Sequence, residues 1–357
     1  MENIRNQSQL QSVFAVFPGQ GSQHVGMGKD LYQNFAIVRE TFEEASDAIR
    51  IDLKKLCFDG PDSDLILTEN TQPCLLVSSV AAYRAAEKEI PFIPAAVAGH
   101  SLGEYSALVA IGCLDLATAT RWVRERGLAM QKAVPAGEGT MAAILGLEDE
   151  KVKQLCLAAT ESALAKLSTP TASSNTLTIV EPANFNAPGQ VVIAGSTAAV
   201  QEAIQILKTG SEFSGGKAIP LQVSAPFHCK LMSPARQRMA ELFSQAKGHE
   251  LAKPLKCAYL PNRTARFSKE PHLVFELLVE QVDHPVLWKQ SIETLLDAQM
   301  SAAIEFGPGK VLSGLIKRIS SSVGKTCSLT SVNDSASMKA LEGFIKEQNK
   351  TEMNQLL

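Results

Sequence analysis

A serine flanked by glycines, at the junction of two apolar segments, restricts this sequence more than any other feature. The stretch Gly99-His100-Ser101-Leu102-Gly103 directly follows the apolar run Ala95 to Ala98 and precedes a segment with helical spacing from Glu104 onward. A sharp strand-to-helix turn lifts a serine out of a sheet, and the glycines remove side chains that would clash. The pattern predicts an α/β protein with Ser101 as a nucleophile, although a glycine-rich turn with an incidental serine fits the same letters.

Short apolar runs alternate with helical segments along most of the chain, and this alternation favours a mostly parallel sheet. Val13 to Phe17 indicates a buried strand that ends in the glycine turn Pro18 to Gln23. The helical spacing between residues 30 and 90 is broken at Asp59 to Asp62. A strand, a turn and a helix repeat the pattern later, at 302–306, 307–309 and 311–318.

Between Gly139 and Val223 the order of elements changes to β-α-β-β-α-β, which is typical of a ferredoxin-like unit. The predicted elements are, in order, at 141–147, 148–167, 177–180, 191–194, 197–208 and 218–223. Residues 168–176, rich in Ser and Thr, are expected to form a surface loop. The sequence therefore predicts a discontinuous large α/β-hydrolase-like domain, residues 1–138 and 223–357, with a small ferredoxin-like subdomain, residues 139–222, inserted between its halves.

Composition argues against several classes of protein. A formal net charge of −3 with 20% charged residues provides no basic surface for nucleic acid. No segment approaches the roughly 18 consecutive apolar residues that cross a membrane, and the first apolar run is too short for a secretory signal. The seven cysteines are scattered without a C-x-x-C pair, so neither disulfides nor a metal site is predicted. We expect a cytoplasmic monomer.

A serine hydroxyl needs a general base near neutral pH, and histidine is the usual one. Of the six histidines, His100 stands beside the serine and should point away from it, whereas His228 follows a predicted strand and re-enters the large domain. Spacing alone fits two roles for His228 equally well: a general base, or an ordinary core or surface histidine whose ring nitrogens are hydrogen-bonded. The free N–H groups at the helix start after Ser101 suit an oxyanion, which indicates acyl transfer.

Several motifs, taken together and in order, resemble the malonyl-CoA:acyl carrier protein transacylase family of fatty-acid synthesis. The similarity runs from about residue 13 to about residue 320, and its motifs are Phe17 to Gln23, Gly99 to Leu108, Asn184 to Gly195 and Phe306 to Lys310. The resemblance implies that a malonyl group passes from malonyl-CoA to the phosphopantetheine thiol of acyl carrier protein. It further implies a malonyl-serine ester, a ping-pong reaction and no cofactor.

Carried over position by position, the resemblance makes Ser101 the nucleophile and His228 its base. In the family a main-chain carbonyl, rather than an acid, orients the second nitrogen of the histidine, and the matching residue is Gln281. The resemblance also implies an oxyanion hole made by the backbone N–H groups of Gln20 and Leu102. Loss of one such donor typically lowers the rate about 10²- to 10³-fold.

Malonyl selectivity requires a partner for a free carboxylate, because an unpaired buried anion is unfavourable and a guanidinium offers two parallel donors. The family position for this arginine corresponds to Arg126. Without the resemblance, Arg121, Arg124 and Arg126 would be interpreted as a solvated helix face. Phe227 matches the bulky residue that leaves little room for a methyl branch in the family's malonyl-selective pattern.

Four other interpretations of the same residues are possible. An esterase or thioesterase of the α/β-hydrolase type would place its histidine near the C-terminus, yet more than a third of the chain follows His228. A patatin-like lipase would need an Asp-Gly pair after the serine, and the only such pair, Asp59-Gly60, precedes it. A trans-acting acyltransferase of polyketide synthesis would fit the same motifs, whereas an inactive binding subunit would not need its catalytic residues. The Lys-rich segment after about residue 320 is assigned no role.

Overall fold

The computed structural model of the chain describes residues 8–166, 177–209 and 211–356, and it places the strands in two separate sheets. In chain order the strands are β1 (Ser8–Phe17), β2 (Phe92–Gly99), β3 (Gly139–Leu145), β4 (Val180–Ala187), β5 (Gln190–Ser196), β6 (Lys217–Pro220), β7 (Ala258–Leu260), β8 (Ala302–Phe306) and β9 (Ser328–Val332). The α-helices are α1 (Lys29–Asn34), α2 (Ala36–Ile49), α3 (Leu53–Asp59), α4 (Asp62–Leu65), α5 (Thr68–Glu89), α6 (Gly103–Ala110), α7 (Leu116–Lys132), α8 (Asp149–Ala165), α9 (Thr197–Thr209), α10 (Ser233–Ser244), α11 (Val274–Glu280), α12 (Trp288–Asp297), α13 (Val311–Ser322) and α14 (Ser335–Leu356).

The larger sheet has five strands in the order β7-β2-β1-β8-β9, and every neighbouring pair is parallel. Its central strand is buried on both faces: Val13, Ala15 and Phe17 belong to one apolar cluster, and Phe14 and Val16 belong to another. A strand with two buried faces appears in the sequence as a continuous apolar run. The expected α/β class with a mostly parallel sheet is confirmed.

The smaller sheet has four antiparallel strands in the order β4-β5-β3-β6. Two helices, α8 and α9, contact each other and this sheet, and enclose a third apolar cluster that includes Val152, Leu155 and Ile193. The chain order of these six elements is β-α-β-β-α-β, as the sequence predicts. This sheet has its own apolar core and does not extend the parallel one.

The strand predicted at 177–180 is wrong, because the strand of this region is β4 and shares only Val180 with the prediction. β4 contains Pro182 and is interrupted by irregular register after Pro182 and after Phe185. A proline is tolerated at the edge of a sheet, where β4 lies, and such interruptions break the alternation that identifies strands. The strand predicted at 218–223 also ends earlier, at Pro220. The loop expected at 168–176 lies outside the described residues.

The C-terminal segment completes the large sheet, a role that the sequence did not indicate. β9 pairs with β8 as an edge strand, and α14 follows it directly. The backbone N–H and the hydroxyl of Ser12 both donate to Glu352 Oε1, at 2.7 and 2.5 Å, so α14 is joined to the central strand β1. None of the described helices combines the length and apolar character needed to cross a membrane.

Candidate active site

Ser101 occupies a sharp turn between β2 and α6. Its φ of 50° lies in the left-handed region, which residues other than glycine rarely adopt. The flanking glycines are needed for space: a Cβ on Gly99 would lie 1.9 Å from the carbonyl carbon of Gly103. A Cβ on Gly103 would lie 2.0 Å from the carbonyl oxygen of Phe17. The strand-turn-helix context predicted for the motif is therefore present.

The structure brings Ser101 and His228 together, although they are far apart in sequence. Ser101 Oγ lies 2.7 Å from His228 Nε2, and His228 Nδ1 lies 2.9 Å from the main-chain oxygen of Gln281. Because a carbonyl oxygen only accepts, Nδ1 carries the proton and Nε2 presents its lone pair to the serine hydroxyl. This geometry is the one that a serine nucleophile and its base require, with a carbonyl where a triad has an acid.

Burial keeps the imidazole of His228 neutral. The residue is 3% exposed, and its backbone φ is positive, at 61°. Loss of solvation, followed by the positive charge of Arg126, lowers the pKa of His228 to about 3. At neutral pH the Nε2 atom is therefore free to accept a proton.

Two backbone N–H groups beside Ser101 are available to an anion. Since β1 and β2 are paired up to their last residues, the turn after β1 meets the serine turn. A Cβ on Gly19 would lie 2.3 Å from the carbonyl oxygen of His100, so only glycine allows this approach. Within the described residues, the N–H groups of Gln20 and Leu102 have no hydrogen-bond acceptor.

Arg126 is a buried guanidinium that points at the nucleophile. The residue is 1% exposed; Nη2 donates to Ser101 Oγ at 3.0 Å and to Gln281 Oε1 at 2.8 Å, and Nη1 donates to Gln72 Oε1 at 2.9 Å. In the described chain none of its hydrogen bonds goes to a carboxylate, and Nε has no partner. Burial lowers the pKa of this guanidinium, because its charge has lost solvent. An anion next to Ser101 would compensate that charge.

Four polar contributions to this site were missed by the sequence analysis: the side chains of Gln72, Glu104, Asn262 and Gln281. Asn262 Oδ1 accepts from the N–H of Ser101 at 2.7 Å, and its Nδ2 donates to the Gly99 oxygen at 2.6 Å. Glu104 is the only charged residue of α6, a helix whose residues are all buried, and this isolated charge was the one available signal. Gln72 and Asn262 reach the site from distant segments, which no local pattern reveals.

His100 and Phe227 are the sequence neighbours of Ser101 and His228 and form no part of the contact between them. His100 Nε2 lies 2.8 Å from Asn186 Oδ1 on β4, so its ring faces the small sheet, as expected from its place beside the serine. A cavity of about 160 Å³ lies between the turn at 18–22, His100 and Asn186, next to the free N–H of Gln20. Phe227 is buried beside His228.

Comparison with known proteins gives a consistent result. The sequence profile of the acyl transferase domain family matches residues 13–355. The malonyl CoA-acyl carrier protein transacylase of Haemophilus influenzae is 43% identical over 331 residues, which cover 92% of this chain and 98% of that protein. The crystal structure of an acyl carrier protein S-malonyltransferase from Vibrio cholerae superimposes with a TM-score of 0.82 at 41% identity, covering 92% of this chain and 99% of the other. A type II polyketide synthase acyl-carrier protein in complex with its malonyl-transacylase gives a TM-score of 0.82 at 39% identity, covering 92% and 97%.

Proposed function

Because this chain belongs to the acyl transferase domain family, we propose that it transfers a malonyl group from malonyl-CoA to the phosphopantetheine thiol of an acyl carrier protein. Identity to named transacylases over nearly their whole length supports the reaction and both substrates. The arrangement of Ser101 and His228 supports a malonyl-serine ester as the intermediate.

In the first half-reaction His228 Nε2 accepts the hydroxyl proton while Ser101 Oγ attacks the thioester carbonyl carbon. The negative charge that develops on the carbonyl oxygen is bound by the N–H groups of Gln20 and Leu102. The carbon–sulfur bond then breaks, His228 gives the proton to the departing sulfur, and the malonyl ester remains on the serine. The main-chain oxygen of Gln281 holds the imidazole through both proton transfers.

In the second half-reaction the thiol of the carrier protein replaces coenzyme A. His228 accepts the thiol proton, the sulfur attacks the ester carbonyl, and the proton returns to Ser101 Oγ as the ester bond breaks. Every proton and electron pair is exchanged among these groups. We therefore propose that the enzyme needs no metal ion or cofactor, and that its activity persists in a chelator.

The observation that carries the choice of substrate is the buried guanidinium of Arg126, which bonds to the nucleophile and has no carboxylate partner in the described chain. A malonyl group on Ser101 would bring a carboxylate to this charge, and a charge-assisted pair of this kind is among the stronger polar contacts in proteins. A neutral acyl group would leave the charge uncompensated. Phe227, buried beside His228, is proposed to limit the size of the acyl group.

The small antiparallel sheet with α8 and α9 is proposed to be a ferredoxin-like subdomain of residues 139–222. Its β-α-β-β-α-β order and its separate apolar cluster support this division. The remaining residues, 1–138 and 223–357, would then form one discontinuous α/β-hydrolase-like domain around the parallel sheet. The two units meet where His100 contacts Asn186.

The choice between fatty-acid and polyketide synthesis stays open in this proposal, since the transacylase in complex with a type II polyketide synthase carrier protein has the same TM-score as the Vibrio cholerae S-malonyltransferase. An esterase or thioesterase is the alternative from another class. It is supported less well, because the second nitrogen of His228 contacts a main-chain oxygen instead of the acid that α/β-hydrolases use.

Acylation without the carrier protein tests the proposal. Incubated with radiolabelled malonyl-CoA, the protein is expected to gain one hydroxylamine-labile malonyl group that maps to Ser101, and the Ser101→Ala variant to gain none. Addition of carrier protein should then move the label to its thiol. A label on another residue, or release of free malonate in place of transfer, would contradict the proposal.

A further inference from the structure

The amide side chain of Gln281 bridges a buried cation and a buried acid. Its Oε1 accepts from Arg126 Nη2 at 2.8 Å, while its Nε2 donates to Glu104 Oε2 at 2.8 Å and to the main-chain oxygen of Ser101 at 3.0 Å. The guanidinium of Arg126 can only donate, so it must face the amide oxygen. The Glu104 and Ser101 oxygens act as acceptors here, so they must face the amide nitrogen. If the amide turned over, a donor would face a donor and an acceptor would face an acceptor, so these partners allow one orientation.

The same residue also holds the base, because the main-chain oxygen of Gln281 accepts from His228 Nδ1 at 2.9 Å. Gln281 thus touches the nucleophile's own carbonyl, the base and the arginine at once. A change in its side-chain orientation would alter the support of Arg126 directly. It would alter the support of His228 much less, since a main-chain contact survives the loss of a side chain.

Glu104 accepts a hydrogen bond from the nitrogen end of the Gln281 amide and so helps to fix its orientation. The carboxyl group is fully buried in the first turn of α6, and Oε2 also accepts from the N–H of Asn262 at 3.0 Å. Its Oε1 has no partner in the described part of the chain. Burial raises the pKa of Glu104 to about 7, and a proton on Oε1 would leave Oε2 an acceptor, so the contact with Gln281 survives in both protonation states.

No step of the proposed reaction uses Glu104. A buried acid is unfavourable unless it is well bonded, so its place beside Ser101 requires another explanation. We propose that Glu104 is a positioning residue for acyl selectivity: it holds the Gln281 amide in the orientation that anchors Arg126 for a substrate carboxylate. This inference rests on the proposed function and deepens it. A neutral acyl group needs only Ser101, His228 and the two N–H donors, and it should depend less on Glu104.

The test is the ratio of kcat/KM for malonyl-CoA to kcat/KM for acetyl-CoA, measured with carrier protein as acceptor. Glu104→Met keeps the length of the side chain but removes both acceptor oxygens. We expect this variant to lower the ratio about 10-fold, because a hydrogen bond to a charged group loses its support. A merely structural defect reduces the active fraction for both substrates alike, and it cancels in the ratio.

Two further variants provide controls. Glu104→Gln restores an acceptor for Gln281 and is expected to recover most of the selectivity, with a ratio within about threefold of the parent. Glu305→Gln changes another buried glutamate, which bonds to the start of α13 and to no residue of the active site. Its ratio should equal that of the parent enzyme.

A double variant tests whether Glu104 acts through Gln281. Gln281→Met keeps the main-chain oxygen that contacts His228 and removes only the amide. It should itself lower the ratio, and adding Glu104→Met to it should lower the ratio no further, because residues that act through one contact are not additive. If Glu104→Met does not yield folded protein, Glu104→Gln takes its place in the same cycle, with an expected loss of about threefold that disappears in the Gln281→Met background.

An unchanged or increased ratio in Glu104→Met overturns the inference, as does a further loss when that change is added to Gln281→Met. Failure of the proposed function itself is distinguishable. In that case the parent enzyme would show no preference for malonyl-CoA, or Arg126→Ala would reduce both substrates equally, whatever the Glu104 variants do.

Discussion

Two strand-to-helix corners of the parallel sheet each contain a buried glutamate, and the two glutamates are bonded differently. At the corner from β8 to α13, both oxygens of Glu305 accept from the start of the next helix: Oε1 from the N–H of Leu312 at 3.0 Å, and Oε2 from the N–H of Ser313 at 2.8 Å. At the corner from β2 to α6, Glu104 accepts from Asn262 and Gln281, which are remote in sequence.

The two glutamates do not differ in the direction of their pKa shift, since burial raises the pKa of both carboxyl groups. They differ in their hydrogen-bond partners. Glu305 satisfies N–H groups that the helix start would otherwise leave unbonded, so its role is local and concerns folding. Glu104 joins three distant segments beside Ser101, and its Oε1 has no partner among the residues that the structure describes. A buried acid with local partners stabilises its own element, whereas one with remote partners fixes the geometry between elements.

The largest difference between the corners should appear when His228, which contacts Ser101 at the corner from β2 to α6, is replaced. His228→Ala is expected to slow acylation of Ser101 by about 10⁴- to 10⁶-fold, because among the described residues His228 is the only hydrogen-bond partner of Ser101 Oγ that can take its proton. Rapid-quench measurement with malonyl-CoA gives the rate. At the corner from β8 to α13, Ser313→Ala removes a hydroxyl bonded to Glu305 at 2.7 Å and should leave the rate unchanged. Near-normal acylation by His228→Ala would remove the histidine from its proposed role.

A smaller and selective loss is expected from Arg126→Ala. Its kcat/KM for malonyl-CoA should fall about 100-fold, and its kcat/KM for acetyl-CoA should stay level or rise, because only the malonyl group offers a carboxylate. Arg84→Ala is the matched control, since Arg84 pairs with Glu44 at 2.7 Å outside both corners. Equal losses for the two substrates would show that Arg126 supports the fold and not the carboxylate.

The smallest effect concerns stability and pH. The pKa of Glu104 in the folded protein, about 7, lies above its ordinary value of 4.5, so its contribution to stability is present below 4.5 and is lost as pH rises through 7. The amide side chain introduced by Glu104→Gln does not titrate. The free energy of unfolding of the variant, relative to that of the parent, should therefore rise by about 1–3 kcal/mol from pH 5 to pH 8. Urea unfolding at both values measures the difference. A difference that stays constant with pH would mean that Glu104 keeps its ordinary pKa.

Local patterns in the sequence predicted the parts of the molecule that depend on neighbouring residues. The turn around Ser101 was predicted because its glycines and the preceding strand are contiguous, and β8 was predicted at its observed bounds because it is a short apolar run between turn residues. The placement of His228 beside the serine needed the family resemblance, since spacing alone left it ambiguous. The structure places it 2.7 Å from the hydroxyl.

The parts that escaped prediction depend on contacts between distant segments. Nothing near Asn262 indicates that its side chain bonds to the N–H of Ser101, and nothing near Gln72 indicates Arg126. β4 was misplaced because a proline and two irregular pairings hide its alternation. β9 was missed because Lys and Ser surround an edge strand that is only partly buried. For Asn262 and Gln72 the bonded partner comes from another part of the fold, whereas the two strands were missed because their own sequences hide the strand pattern.

Ser101 and His228 share a backbone conformation, with φ of 50° and 61°, in which glycine would be more comfortable than either residue. The two residues that form the 2.7 Å contact thus share the less favourable left-handed backbone, and this strain is stored where their side chains meet. A glycine at either position would relieve the strain but would also remove the hydroxyl or the imidazole, so a relaxed backbone and the contact exclude each other there.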